Sequence, residues 1–199
     1  MKIRATLAVS AAAFGLILSG CSSSDSGSST ASESPSAAAS AGKVGVILPD
    51  SASSARWETA DRKFLEEAFQ AAGVEYDIQN AQGDKAKFQT IADQMLNAGA
   101  NVLMIVNLDS DTGAAVIKKA NAQGVKVIDY DRLTLNGEAA YYVSFDNVAV
   151  GTKIGEGLVK CMQDNGDTTG PVALLNGSPT DNNATLFKQG YETAITAAG

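Results

Sequence analysis

Histidine is absent from all 199 residues. That removes Ser-His-Asp and Cys-His catalysis, the usual zinc sites and the commonest general base. Cysteine is nearly absent too: Cys21 and Cys161 are the two thiols of the chain, and once Cys21 is committed elsewhere no internal disulfide can form. Basic residues are in the minority, 15 Lys and Arg against 22 Asp and Glu, for a formal charge of −7. A surface of that sign excludes nucleic acid as a partner and offers no global field to steer an anion, while leaving a neutral ligand unconstrained.

What is present begins with an apolar run over residues 7–18, preceded by Lys2 and Arg4 and closed by Leu18-Ser19-Gly20-Cys21. A basic start, an apolar middle and small residues before a cut are the anatomy of a cleaved export signal. The residues alone leave open an ordinary secretory signal, but the segment resembles a bacterial lipoprotein signal with its lipobox. That resemblance implies removal of residues 1–20 and a diacylglyceryl group on the sulfur of Cys21. Two or more acyl chains, at about 0.8 kcal/mol per buried methylene, hold a protein stably on a membrane. The expected location is therefore the extracytoplasmic face of the cell membrane. Loss of Lys2 and Arg4 leaves 13 basic and 22 acidic side chains, a charge of −9. Residues 22–42 are rich in Ser and Ala and hold no large apolar side chain, so they cannot offset the entropy of ordering. Residues 21–42 read as the lipid anchor and a flexible linker.

From Lys43 onward, short β-rich apolar runs alternate with amphipathic helical stretches, the rhythm of βαβ units and an open parallel sheet flanked by helices. Strands are predicted at 43–48, 74–79, 101–107, 125–130, 141–144 and 172–175. The run Val102-Leu103-Met104-Ile105-Val106 lacks polar alternation, which suits a central strand. The helix after the first strand carries an apolar stripe of Trp57, Phe64, Leu65, Ala68 and Phe69 and ends at Gly73, where a C-terminal cap belongs. Further helices are predicted over 84–97, 109–123, 148–163 and 182–197.

Ligands of open parallel sheets bind beyond the carboxyl ends of the strands. The residues there are polar and specific: Asp50, Arg56 and Trp57; Asn107 and Asp109; Asp131 and Arg132; Asp146 and Asn147; Asp181, Asn182 and Asn183. Carboxylates and amides match adjacent hydroxyls, guanidinium forks span two oxygens, and an aromatic face packs on the C–H side of a sugar ring. This is the composition of a neutral polyol site.

The segments Val44-Gly45-Val46, Arg56-Trp57, Tyr130-Asp131-Arg132, Ser144-Phe145-Asp146-Asn147 and Gly177-Ser178-Pro179-Thr180-Asp181-Asn182-Asn183-Ala184 resemble the xylose-binding type I periplasmic binding proteins of sugar ABC importers. The similarity runs in order from Lys43 to Gly199. It implies two α/β lobes that close on a monosaccharide and present it to a membrane permease, acting as a monomer, without a cofactor or a metal. By position, Arg56, Asp131 and Arg132 would supply hydrogen bonds from the first lobe and Trp57 its ring-packing face. Asp181 and Asn183 would be the second lobe's contribution, with Asn147 and Asn182 as secondary, loop-shaping residues. On this reading 43–145 is the first lobe and 146–199 a crossover and the start of a second, incomplete lobe.

Other readings stay open on the residues alone. Asp50, Asp109 and Asp181 precede helices, where Asp is a good N-cap. Trp57 could be a core anchor, and Asp131 and Arg132 a surface pair. The glycines at 151, 155 and 157 invite a phosphate-loop reading but lie inside a helical pattern. Cys161 reads as a buried or half-buried thiol without a role. Beside import, the alternatives are a sugar-sensing receptor domain, a non-functional fragment of the binding protein, a LacI-type regulator lacking its basic DNA-binding helices, and a hydrolase using Asp131 and Asp181. The expected answer is a binding protein, not an enzyme.

Overall fold

A computed structural model describes residues 42–167 and 169–199; the signal segment, Cys21 and residues 21–41 of the linker lie outside the described residues. Five parallel strands form one sheet in the order β2-β1-β3-β4-β5. They are β1 (Lys43–Leu48), β2 (Glu75–Asn80), β3 (Val102–Ile105), β4 (Lys126–Tyr130) and β5 (Tyr141–Val143). The helices are α1 (Arg62–Ala72), α2 (Lys85–Asn97), α3 (Ser110–Ala122), α4 (Asn147–Asp164) and α5 (Asn182–Ala197). The sheet lies between two apolar layers. On one side Phe88, Ile91 and Met95 of α2 and Val116 and Ile117 of α3 pack on Ile47, Leu103, Ile105 and Val127. On the other, Trp57, with Leu65 and Phe69 of α1 beside it, covers Val46, Leu48, Ile78 and Val106. The alternation within β1, Val46 and Leu48 to one layer and Ile47 to the other, is the two-residue period of a strand buried on both faces.

Strand order reverses at β1, which has β2 on one side and β3 on the other. The carboxyl-end crevice at such a reversal is where open sheets hold ligands. Gly45 belongs to this geometry: a Cβ there would sit 2.7 Å from Met95 Sδ and 2.9 Å from Leu103 Cδ2. Only a bare backbone lets α2 approach the centre of the sheet so closely.

Three sequence expectations change. The helix after β1 opens with a π-helical turn, Trp57–Asp61, before α1. The extra residue in that turn advances the register, so the packed stripe runs Trp57, Leu65, Phe69, and Phe64 is left 61% exposed beneath Lys63. The strand predicted at 172–175 does not form: it has no ladder partner, and Leu174 and Leu175 are exposed. A strand needs a neighbour to satisfy its backbone, and none of the five pairs there. Cys161, on α4, is free and exposed where a buried or half-buried thiol is expected.

Those glycines explain themselves in the packing. The buried residues of α4 are Asn147, Gly151 and Gly155, and those of α5 are Asn183 and Gly190. A Cβ on Gly151 would lie 2.3 Å from the Phe187 carbonyl oxygen, and one on Gly190 2.3 Å from that of Val148. The two helices therefore meet backbone to backbone, which carries the start of α5 to the rim of the sheet. Gly190→Ala should lower stability by about 1–3 kcal/mol, because neither blocking atom is a side chain that can swing aside. Gly157→Ala, where a Cβ meets nothing within 4 Å, should raise it by about 0.5–1 kcal/mol. Urea titrations of the two variants check the contrast.

Candidate functional site

The site is built from loops after β1 and β4 and from the start of α5. After β1, Asp50 accepts from Ala52 N at 2.8 Å and from Ser53 Oγ at 2.8 Å, folding the loop back on itself. Burial pushes the Asp50 carboxyl up, but these bonds outweigh it and hold it below the usual value. Ser53 Oγ in turn accepts from Trp57 Nε1 at 3.3 Å. Glu58 anchors the turn from the other side, with Arg62 Nε at 2.6 Å and Asn80 Nδ2 at 2.6 Å. The Arg62 bond keeps the Glu58 carboxyl below its ordinary range.

Arg56, its side chain 43% exposed, reaches across the crevice. Its Nη2 lies 2.5 Å from Asp131 Oδ2 and its Nε 3.1 Å from Asp61 Oδ2. The contact with Asp61 is one of charge alone; the other oxygen of Asp61 accepts from Tyr130 Oη at 2.5 Å, and burial with this bond pushes the Tyr130 phenol up to about 12. The guanidinium carbon of Arg56 stands 4.1 Å from the centroid of the Trp57 ring, and that of Arg132 5.8 Å from it. Trp57 is 3% exposed, so it anchors the β1 side of the core and carries the guanidinium groups at the same time.

Asp131 follows β4 with φ +66°, the left-handed region. Its backbone is held on both sides: N donates to Val143 O at 2.8 Å, and O accepts from Ser144 Oγ at 2.8 Å, Tyr142 Oη at 3.2 Å and Asn183 Nδ2 at 3.1 Å. Its carboxylate accepts from Arg56 and, at 3.0 Å, from Asn183 Nδ2. Arg132 turns to α5, with Nε 3.0 Å from Asp181 Oδ2, a charge contact too oblique for a directed hydrogen bond. Its Nη1 donates to Asn107 O at 3.2 Å.

Arg56, Trp57, Asp131, Arg132, Asp181 and Asn183 thus converge in one cluster. Within it, Asn183 is 4% exposed and spends its amide on Asp131. Asp181 combines the N-cap role, accepting from Asn183 N at 2.9 Å, with the Arg132 contact. Asn147, 3% exposed, bonds Phe145 O at 3.2 Å and shapes the turn into α4, whose N-cap is Asp146. Asn182 lines a shallow cleft with Asp109 and Thr180. Asp109 caps α3 through Thr112 N at 2.7 Å and is paired with Lys85. Sequence reasoning missed Asp61 as a partner of Arg56 and Tyr130 as the donor behind it; the Tyr130-Asp131 adjacency was visible, but Asp61 lies within the π-helical turn. Among the described residues no group of three or more acidic or thiol side chains is placed to hold a metal ion.

An open parallel α/β sheet with a polar, charge-paired cluster beyond its carboxyl ends is the arrangement in which such sheets hold ligands. Residues 44–199 match the family described as periplasmic binding protein domain, and the chain belongs to that family. It is 38% identical over 164 residues to the multiple sugar-binding periplasmic receptor ChvE of Rhizobium radiobacter, covering 81% of this chain and 46% of the receptor. It is 32% identical over 148 residues to the D-xylose-binding periplasmic protein of Escherichia coli K12, covering 74% of this chain and 43% of that protein. Among solved structures, a carbohydrate transporter solute binding protein from Chloroflexus aurantiacus in complex with D-glucose superposes with a TM-score of 0.69 at 35% identity, over 77% of this chain and 44% of the other. A Caulobacter myo-inositol binding protein gives a TM-score of 0.71 at 26% identity, over 81% and 53%. The chain spans less than half the length of these curated relatives.

Because Asp131 needs a left-handed backbone, Asp131→Ala and Asp131→Asn should differ although both remove the ion pair. Asn tolerates that region, so the Ala variant should be less stable by about 1 kcal/mol, read from paired thermal and urea unfolding.

Proposed function

We propose that this chain is the sugar-receiving part of an extracytoplasmic solute-binding protein that takes up a neutral monosaccharide and hands it to an ABC import permease. The observation that carries this reading is the pairing of Arg56 with Asp131 and of Arg132 with Asp181 around Trp57. Arg56 is matched by Asp131 and Asp61 and Arg132 by Asp181, so the cluster has fixed donors and acceptors and no excess of positive charge, which suits a polyol and not an anion. The relatives named above are sugar-binding by their descriptions, which supports the same ligand class; D-xylose or a similar aldopentose or aldohexose is the proposed ligand. Residues 43–145 form the first lobe on this reading, and 146–199 the crossover and the start of the second. Cys21 is the proposed lipid attachment, holding a monomer at the extracytoplasmic face of the cell membrane with residues 22–42 as its tether.

Binding, not covalent chemistry, is the proposed mode of action. Asp131 and Asp181, the two carboxylates that a hydrolase would use, are each spent on a guanidinium of the cluster. The sugar would favour the arrangement in which the α5 start and the β4 loop both contact it, shifting a population rather than making a bond.

Isothermal titration of the folded chain with D-xylose, D-glucose, D-ribose, L-arabinose and D-galactose should give saturable heat with at least one of them. Flat titrations across the panel from a chain shown by circular dichroism to be folded would overturn the reading. With the responding sugar, Arg132→Ala should weaken binding by ~1.5–3 kcal/mol, about tenfold to a hundredfold, through loss of a charge-assisted fork.

A further inference from the structure

Behind Arg132 lies a buried polar chain whose hydrogen bonds reach the site at Arg132. Asp129, on β4, is fully buried, with Thr134 and Asn107 each 2% exposed beside it. Thr134 N donates to Asp129 Oδ2 at 2.8 Å and Thr134 Oγ1 to Asp129 Oδ1 at 2.7 Å. The same hydroxyl accepts from Asn107 Nδ2 at 2.8 Å. Asn107 then holds Arg132 at both ends: its Nδ2 donates to the Arg132 carbonyl at 3.2 Å, and its own carbonyl accepts from Arg132 Nη1 at 3.2 Å. A carboxylate in an apolar layer is costly unless bonded, and burial pushes the Asp129 carboxyl up against the opposing effect of Thr134. The core keeps room for this arrangement at a further cost. A Cβ on Gly113 of α3 would lie 2.8 Å from Thr134 Oγ1, and one on Gly137 2.8 Å from Thr134 Cγ2.

We propose that Asp129, Thr134 and Asn107 are positioning residues that fix the guanidinium of Arg132 for the ligand without contacting it. The inference deepens the sugar-binding reading and rests on it for affinity, but not for geometry. Hydrogen bonds run in one direction, Asn107 to Thr134 to Asp129, so the hydroxyl of Thr134 is the link that both ends share. Removing it leaves Asp129 Oδ1 unpaired in a buried layer and Asn107 Nδ2 with the Arg132 carbonyl as its remaining partner, so the residue whose backbone carbonyl grips Arg132 Nη1 loses its side-chain anchor.

The chain contains a single Trp, and Arg132 stands 5.8 Å from its ring. Trp57 emission therefore reports the guanidinium placement whether or not a sugar is present. Thr134→Val, isosteric but without the hydroxyl, should shift Trp57 emission and weaken D-xylose or D-glucose binding about tenfold. Thr134→Ser, which keeps the hydroxyl, should restore both. A folded Thr134→Val chain with wild-type emission and affinity overturns the proposal, as does a Ser variant as defective as Val, which would assign the effect to the methyl group. If the wild type binds neither sugar, the functional reading fails by itself and the emission comparison alone decides the positioning role. If Thr134→Val does not fold, Gly113→Ala, which pushes on the same hydroxyl, should reproduce the emission shift, and an unchanged emission then counts against the proposal.

Discussion

Asp131 is the residue on which the rest of this site depends. Its left-handed backbone ends β4 and turns the chain so that its carboxylate faces Arg56 while its carbonyl faces Asn183. A non-glycine residue in that region carries a steric cost of roughly 1–2 kcal/mol, which persists only where surrounding bonds over-determine it. Here Val143, Ser144, Tyr142, Asn183 and Arg56 all do so. The same bonds join three segments far apart in sequence, the loop after β1, the strand β5 and the start of α5.

The second tie is made of almost nothing. Where α4 crosses α5, Gly151, Gly155 and Gly190 let the backbones touch, and no large aliphatic side chain is buried in either helix. Helices that pack so thinly keep their place through close backbone contact and through the polar bonds at their ends, Asp181 to Arg132, Asn183 to Asp131, and Thr180 Oγ1 to Leu108 O at 3.2 Å. Those end bonds are also the ones that complete the crevice. Packing and the proposed site therefore draw on the same few polar groups, unlike the sheet, whose two apolar layers hold without them.

Much of the fold was legible because its signals are local. Apolar runs without alternation marked the inner strands, and Gly73 closed α1 at φ +65°. The rim residues were legible too, since a residue just beyond a parallel strand has one place to go, and Asp131 and Arg132 follow β4 directly. What was not legible depended on partners. The π-helical turn moved Phe64 to the surface, a shift no periodicity reveals. The run at 172–175 is apolar enough for a strand, but strand formation needs a neighbouring ladder, and its sequence carries no information on whether one is present. The helical glycines were read correctly as not forming a phosphate loop, yet their purpose appeared only when α5 was placed against them.

The sequence by itself determined the class of the fold, the parallel sheet with helices on its faces, and the kinds of side chain at its rim, because hydrophobic period and strand-end position are properties of the chain taken a few residues at a time. It also determined what the chain lacks: without histidine, neither a Ser-His-Asp nor a Cys-His constellation can be built from its own side chains. Tertiary structure alone decided which rim groups reach the crevice and which serve behind it. Asn183 and Asn147 are buried by their neighbours, Trp57 lies in the core beneath Arg56, and Arg132 is gripped by Asn107 at both ends, because hydrogen-bond partners and burial are set by residues brought together from distant parts of the chain.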